Sequence, residues 1–198
     1  MLSRSQNLWQ EANERGIFAN EIAPIEVKGR KGLESVTTDE HPRKNTTLAD
    51  LTKLKPVFKE GGIVTAGTAS GISDGAASLV VASEAAVNLH KLKPLARIVA
   101  FQRVGCDPTI MGIGPVEAIR GALKAAGLTL AQIDLVEINE AFAAQYLACE
   151  KELGLDRSKT NLNGGAIALG HPLGASGARM YARYTFLYFL NDQPMMAL

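Results

Sequence analysis

Residues 133–154 read IDLVEINEAFAAQYLACEKELG, a short apolar run that passes directly into a longer, helically spaced segment. The run IDLVEI has the length and branched side chains of a buried strand, and NEAFAAQYLACEKELG reads as a helix stopped at Gly154. The same pairing recurs on both sides. Upstream, SLVVAS reads as a buried strand and SEAAVNLHKL as a helix capped by Ser83. ARIVAFQRV is a predicted strand, followed by the helix PVEAIRGALKAAG with Pro115 near its start and Gly127 at its end. Downstream, TNLNG leads into HPLGASGARMYARY. Alternating strands and helices predict a layered α/β domain, in which functional residues gather where strands end and helices begin.

The N-terminal third differs. MLSRSQNLWQEANERG lacks the apolar core of a secretory signal, and its Glu11 and Glu14 argue against a transit peptide. It reads as a helix with Leu8, Trp9 and Ala12 on one face and Gly16 as its stop. A sequence that opens inside a helix suggests the middle of something longer. Residues 17–60 are loop-rich, with a strand at IAPIEVKG, a turn at GRKG and a short helix in TTLADLTKL capped by Thr46 or Thr47.

Composition narrows the classes of function. The 198 residues are 46% hydrophobic and 21% charged, which fits a folded core and not a disordered chain. Lys and Arg number 21 against 20 Asp and Glu, so no net basic field points to nucleic acid. The longest apolar runs, including YTFLYFL near the end, are too short for a membrane span. The two cysteines, Cys106 and Cys149, have no metal-ligand spacing and predict no disulfide framework. Cys149 falls in a helix as a small buried hydrophobe, and Cys106 falls in the turn VGCDP with no base beside it in sequence.

Chemistry concentrates in a few places. The segment TNLNGGAIALGHPLGASGAR, residues 160–179, sets His171 among glycines and alanines, with Pro172 placed to begin a helix. That is either a glycine-rich turn with an incidental histidine or a general base in a slot for a narrow substrate. Its glycine spacing matches neither a P-loop nor a dinucleotide fingerprint. Asn139, between strand and helix, is either a helix N-cap or an amide that orients a water or an oxyanion. VTAGTASGISDGAAS, residues 64–78, is a second patch of small residues, with Ser70 as a hydrogen-bonding group.

Taken together, VTAGTASGISDGAAS, GCDPTIMGIGP, DLVEINEAFAAQ and NGGAIALGHPLGASGAR resemble the thiolase family, and within it the mitochondrial 3-ketoacyl-CoA branch of fatty-acid oxidation. The resemblance runs from about residue 5 to 179. It implies acyl transfer through a covalent acyl-cysteine, with CoA and acyl-CoA as substrates and without metal or redox cofactor. By the same resemblance His171 activates the nucleophilic cysteine and lines an oxyanion hole, and Asn139 holds a water against the enolate oxygen of the second acyl group. Arg43 would meet the nucleotide end of CoA and Thr46 would lie along it. Phe58 and Ala66 would wall the pantetheine tunnel, Ser70 would hydrogen-bond the pantetheine arm, and Phe142 would shape the slot.

The resemblance also implies an incomplete thiolase-type fold: residues 1–72 as part of a CoA-binding loop domain and 73–198 as a C-terminal domain with a divergent tail from about residue 180. The family's nucleophilic cysteine and its second cysteine motif have no counterpart here, so the chain by itself is expected to be inactive. The competing expectation is a non-catalytic fragment that binds CoA or a thiolase partner. The mitochondrial matrix is the implied location, with cytosol or peroxisome as alternatives, and the complete family enzyme implies a homo-oligomer. Apolar faces of helices at 139–153 and 171–190 are expected to stand exposed.

Overall fold

The computed structural model describes residues 1–19, 21–30 and 32–191. In chain order its elements are α1 (Leu2–Glu14), β1 (Ile25–Gly29), β2 (Gly32–Val36), α2 (Leu48–Thr52), α3 (Glu84–His90), α4 (Gly114–Ala126), α5 (Ala143–Leu153), α6 (Ala166–Leu169) and α7 (Leu173–Asn191). The chain divides into two compact units. One holds Met1–Gly71, Glu140–Ala144 and Asn161–His171, and the other holds Ile72–Asn139, Gln145–Thr160 and the chain from Pro172 onward.

In the first unit, α1 is held by its apolar stripe. Trp9 and Ala12 are buried with Phe18 and Ala168, and Ile17, Ile22 and Leu169 pack around them. Gly16, at φ 72°, ends the helix in the left-handed conformation that costs glycine least. β1 and β2 pair antiparallel from Ile25 opposite Val36 to Gly29 opposite Gly32, which agrees with the expected turn. α2 begins at Thr47, whose hydroxyl accepts from the Asp50 amide while the Asp50 carboxylate accepts in return, a reciprocal cap.

In the second unit, α3 starts at Ser83, which accepts from the Ala86 amide, and α4 ends at Gly127, both as expected. The strands do not follow suit. SLVVAS and ARIVAFQRV form no strand; Val80 is 94% exposed and Phe101 70%. A strand exists only through its ladder, and among the described residues neither segment meets a ladder partner. IDLVEI is buried at Ile133, Val136 and Ile138, yet it forms no named strand, and Val136 pairs with Thr160 through a parallel bridge.

The helix after IDLVEI also starts later than its sequence suggests, at Ala143 and not at Asn139. Residues 141–143 spend their backbone groups sideways. Ser70 N donates to Ala141 O at 3.0 Å, Ala143 N donates to Thr68 O at 2.8 Å, and Ala69 bridges Phe142 antiparallel. Backbone committed to a neighbouring segment cannot form a first helical turn, so Asn139 lies ahead of the helix and is not its N-cap. The apolar face expected to stand exposed on this helix is met only in part: Leu147 is exposed but Ala143, Tyr146 and Cys149 are buried, and the large exposed apolar side chains lie mainly over residues 25–63 and 72–111. On α7, Leu173 and Tyr181 are exposed, while Ala175 and Ser176 are buried. α7 runs to Asn191, and the remainder of the divergent tail, 192–198, lies outside the described residues.

Candidate functional site

Three short segments of the first unit meet around His171. α6 is a single turn, buried at Ala166, Ile167 and Ala168. Gly170, at φ 84°, turns the chain out of it and delivers His171, whose amide donates to Gly71 O at 2.8 Å. Gly71 closes the segment 68–71, which is paired with 141–143 through the bonds described above. The histidine backbone is therefore pinned to a strand-like loop that is itself pinned to the segment carrying Phe142. His171 is half-buried.

The surroundings are built from small groups for steric reasons. At Gly71 an added Cβ would collide with the His41 ring, so a larger residue here would need that ring to move aside. His41 is thus a neighbour of the site that sequence reading missed; nothing in DEHPR marks it apart from the arginine beside it. Ser70 donates its hydroxyl to Ala141 O at 3.1 Å, which fixes the side chain expected to meet pantetheine. The rings of Phe58 and Phe142 meet edge to face, with centroids 6.4 Å apart. Phe58 remains 76% exposed, an unusual state for a ring with a partner, and it presents an apolar wall to solvent.

Arg43 and Thr46 stand next to each other on an ordered loop. The Arg43 amide donates to Gln6 Oε1 at 2.8 Å, and Thr46 Oγ1 donates to Arg43 O at 2.7 Å. Arg43 is exposed, so its charge meets solvent. Ala66 is exposed in the loop before Gly67. Asn139 is half-buried and belongs to the second unit. The structure thus brings Ser70, Phe142 and His171 together through the backbone bonds of 68–71, adds Phe58 through its ring contact with Phe142, and places Arg43 and Thr46 together.

The residue before the Ala141 turn is the second one that sequence reading missed. Glu140 is fully buried. Burial pushes its carboxyl above the ordinary carboxylate range, against the lowering effects of hydrogen bonds from Ser5, Asn161 and the Ile167 amide and the charge of Arg4. Its only mark in the sequence is a charge at the head of the apolar run AFAA.

Cys149 is not activated by what surrounds it. Cys149 is buried in α5, where its sulfur contacts Gly112 O at 3.3 Å, and burial pushes its thiol pKa up. Cys106 is exposed. The second unit also has a cleft of about 440 Å³ between α4 and α5, lined by Val116, Arg120, Ala148 and Lys151, but it carries none of the candidate site residues. No helix of the described residues is long and apolar enough to cross a membrane.

Comparison with known proteins gives these features a context. A family model described as the thiolase C-terminal domain matches residues 92–194, and one described as the thiolase N-terminal domain matches residues 3–85. The chain is 63% identical over 179 residues to a protein named "3-ketoacyl-CoA thiolase, mitochondrial" from Bos taurus, and 62% identical to its namesake from Homo sapiens. Each alignment covers 90% of this chain and 45% of the relative, so the chain spans about half the length of the curated relatives it matches. Among solved structures, human mitochondrial 3-ketoacyl-CoA thiolase matches with a TM-score of 0.87 and 54% identity, over 96% of this chain and 48% of that one. A structure of the human protein in complex with CoA matches with a TM-score of 0.85 and 53% identity, over 96% of this chain and 47% of that one.

Proposed function

From the premise that the chain belongs to the thiolase family and has its α/β fold, we propose that it supplies the histidine-bearing, CoA-contacting part of a 3-ketoacyl-CoA thiolase. The reaction is thiolytic cleavage of a 3-ketoacyl-CoA by CoA to acyl-CoA and acetyl-CoA, or the reverse condensation, in fatty-acid β-oxidation. The observation that carries this reading is the hydrogen bond from His171 N to Gly71 O at 2.8 Å, which sets the histidine backbone against the residue that follows Ser70. The histidine backbone is thereby tied to the loop that carries Ser70, and that loop pairs with the segment carrying Phe142. A thioester on a narrow pantetheine arm fits that combination.

In this reading His171 takes the proton of a thiol nucleophile and later faces the oxyanion formed on the thioester. Asn139 holds a water for the enolate oxygen of the second acyl group. Ser70, Phe58, Ala66 and Phe142 line the pantetheine path, and Arg43 and Thr46 serve the nucleotide end of CoA. Residues 1–72 are the CoA-binding loop portion and 73–198 the C-terminal portion. A mitochondrial matrix location and a homo-oligomeric enzyme complete the proposal, the location supported by relatives named as mitochondrial.

A second reading, that these 198 residues bind CoA or a thiolase partner without catalysing, is favoured by the burial of Cys149 and the raised pKa of its thiol. A covalent acyl intermediate needs a thiolate beside the base. The experiment that tests the proposed function is a calorimetric titration of the chain with CoA, alongside an assay of CoA-dependent loss of 3-ketoacyl-CoA absorbance. CoA binding without turnover is expected of the isolated chain. The absence of any CoA binding would count against the first reading and leave, of the second, only binding to a thiolase partner.

A further inference from the structure

The candidate chemistry makes no use of one buried group, the Glu140 carboxylate. It sits where three parts of the first unit converge. Oε2 accepts from Ser5 Oγ of α1 at 2.6 Å and from the Ile167 amide of α6 at 3.2 Å, and Oε1 accepts from Asn161 Nδ2 at 3.3 Å. The Ser5 hydroxyl is oriented by a further bond, because Ser5 Oγ accepts from the Gly165 amide at 3.0 Å. Its single hydrogen is then directed to Glu140, and a relay runs from the Gly165 amide through Ser5 to the carboxylate. An added Cβ at Gly165 would collide with the Glu140 side chain, so the carboxyl lies directly against bare backbone.

We propose that Glu140 is a positioning residue for His171, acting through the amides of Gly165 and Ile167 to fix the one-turn helix that delivers the histidine. The argument rests on the thiolase reading of His171. Gly165 caps α6, Ile167 lies within it, and His171 follows two residues after its end. The far side of the same segment is held by Gly71 O, through a loop paired to residues 141–143, next in sequence to Glu140. Glu140 thus closes a ring of contacts: its own backbone neighbours hold 68–71, that loop holds His171 N, and its side chain holds the start of the turn that carries His171. Remove the acceptor, and the start of the α6 turn loses its amide anchor, keeping on that side the bond from Gln6 Nε2 to Ile167 O at 3.3 Å and the packing of Ala168 on Trp9. Buried donors at Ser5, Asn161 and Ile167 would also be left facing one another, an arrangement that drives local opening.

The test compares two substitutions of nearly equal size. Glu140→Gln keeps a carbonyl acceptor for Ser5 and Ile167, whereas Glu140→Met fills the space and offers none. Hydrogen exchange by mass spectrometry is read for residues 161–171 and, as internal reference, for α4 in the second unit. Carbethoxylation of His171 relative to the exposed His90 reports the imidazole itself. Exchange over 161–171 is expected to rise about 10- to 100-fold in Glu140→Met, with His171 modified at an altered rate and α4 unchanged. Glu140→Gln should stay near the parent in both readouts. Unchanged protection in Glu140→Met, or equal loss in both variants, overturns the proposal. Should Glu140→Met unfold globally, Ser5→Ala provides the second arm: it removes the relay alone and should raise exchange at 161–171 with α4 intact, and no change there also overturns the proposal. Because neither readout uses CoA, failure here is distinct from a failure of CoA binding.

Discussion

At the scale of single residues, Ser70 and Arg43 differ in what their removal should show. Ser70 is held by Ala141 O, so its hydroxyl is already oriented for a ligand. Ser70→Ala is expected to weaken CoA binding by about 0.5–1.5 kcal/mol, the worth of one neutral hydrogen bond. Arg43 is exposed, and its contact with a phosphate would be screened, so Arg43→Ala should cost about 1 kcal/mol or less and lose its effect at high salt. Calorimetric titration of each variant with CoA at two salt concentrations checks both; unchanged affinity in both variants removes these assignments.

Glu140 gives a pH dependence whose sign can be worked out. Burial raises its pKa in the folded state, so above the ordinary carboxylate range the folded chain holds a proton that the unfolded chain has lost. Stability from this group is therefore fully present below that range and is lost as pH rises through the raised value. Glu140→Gln, which cannot titrate, should melt with a flatter pH profile, and the Tm of the parent minus that of the variant should fall as pH increases from acid toward neutrality. A value that rises over that interval would show the shift to have the opposite sign.

At the scale of elements, Trp9 is the largest buried apolar side chain that seats α1. Trp9 is 2% exposed and central to the cluster with Ala12, Phe18 and Ala168. Trp9→Ala leaves a cavity against α6 and should cost about 3–5 kcal/mol. The loss should spread to His171, because α6 is the element that carries it. A denaturant titration of Trp9→Ala with a midpoint like that of the parent would mean that α1 is not part of the cooperative unit. The late start of α5 is decided at the same scale. The NEAF segment is locally helix-compatible, but pairing with residues 68–70 claims its backbone first.

At the scale of the whole molecule, apolar surface governs behaviour. Ile72, Val80, Val81, Leu89, Ile98, Val99, Phe101 and Met111 all stand more than half exposed. Patches of that extent drive association, and extended segments outside any ladder add backbone donors and acceptors open to another chain. The chain by itself is expected to elute as a broad, concentration-dependent oligomer or to precipitate, and a monodisperse monomer with a sharp melt would contradict this. The same isolated chain should show no thiolysis of acetoacetyl-CoA. Turnover abolished by Cys106→Ala or Cys149→Ala would instead identify a working nucleophile in one of these two residues.

The sequence by itself determined what depends on neighbours in the chain. Helix limits at Ser83, Thr47, Gly16 and Gly127 were legible because caps and stops act over a few residues. The family was legible as well, since GHP and NEAF are local strings, and His171, Asn139 and Ser70 could be named from them and from GTASG. Strands were not legible in the same way, because SLVVAS and ARIVAFQRV have strand composition but need a partner to become strands. Only the tertiary structure decided that residues 141–143 pair sideways, that His171 hangs from Gly71, and that a buried carboxylate ties Ser5 to Ile167, residues far apart in the chain. Contacts at that separation leave no periodicity in the chain; they exist only once packing has made the carboxylate's neighbours scarce and its hydrogen bonds specific.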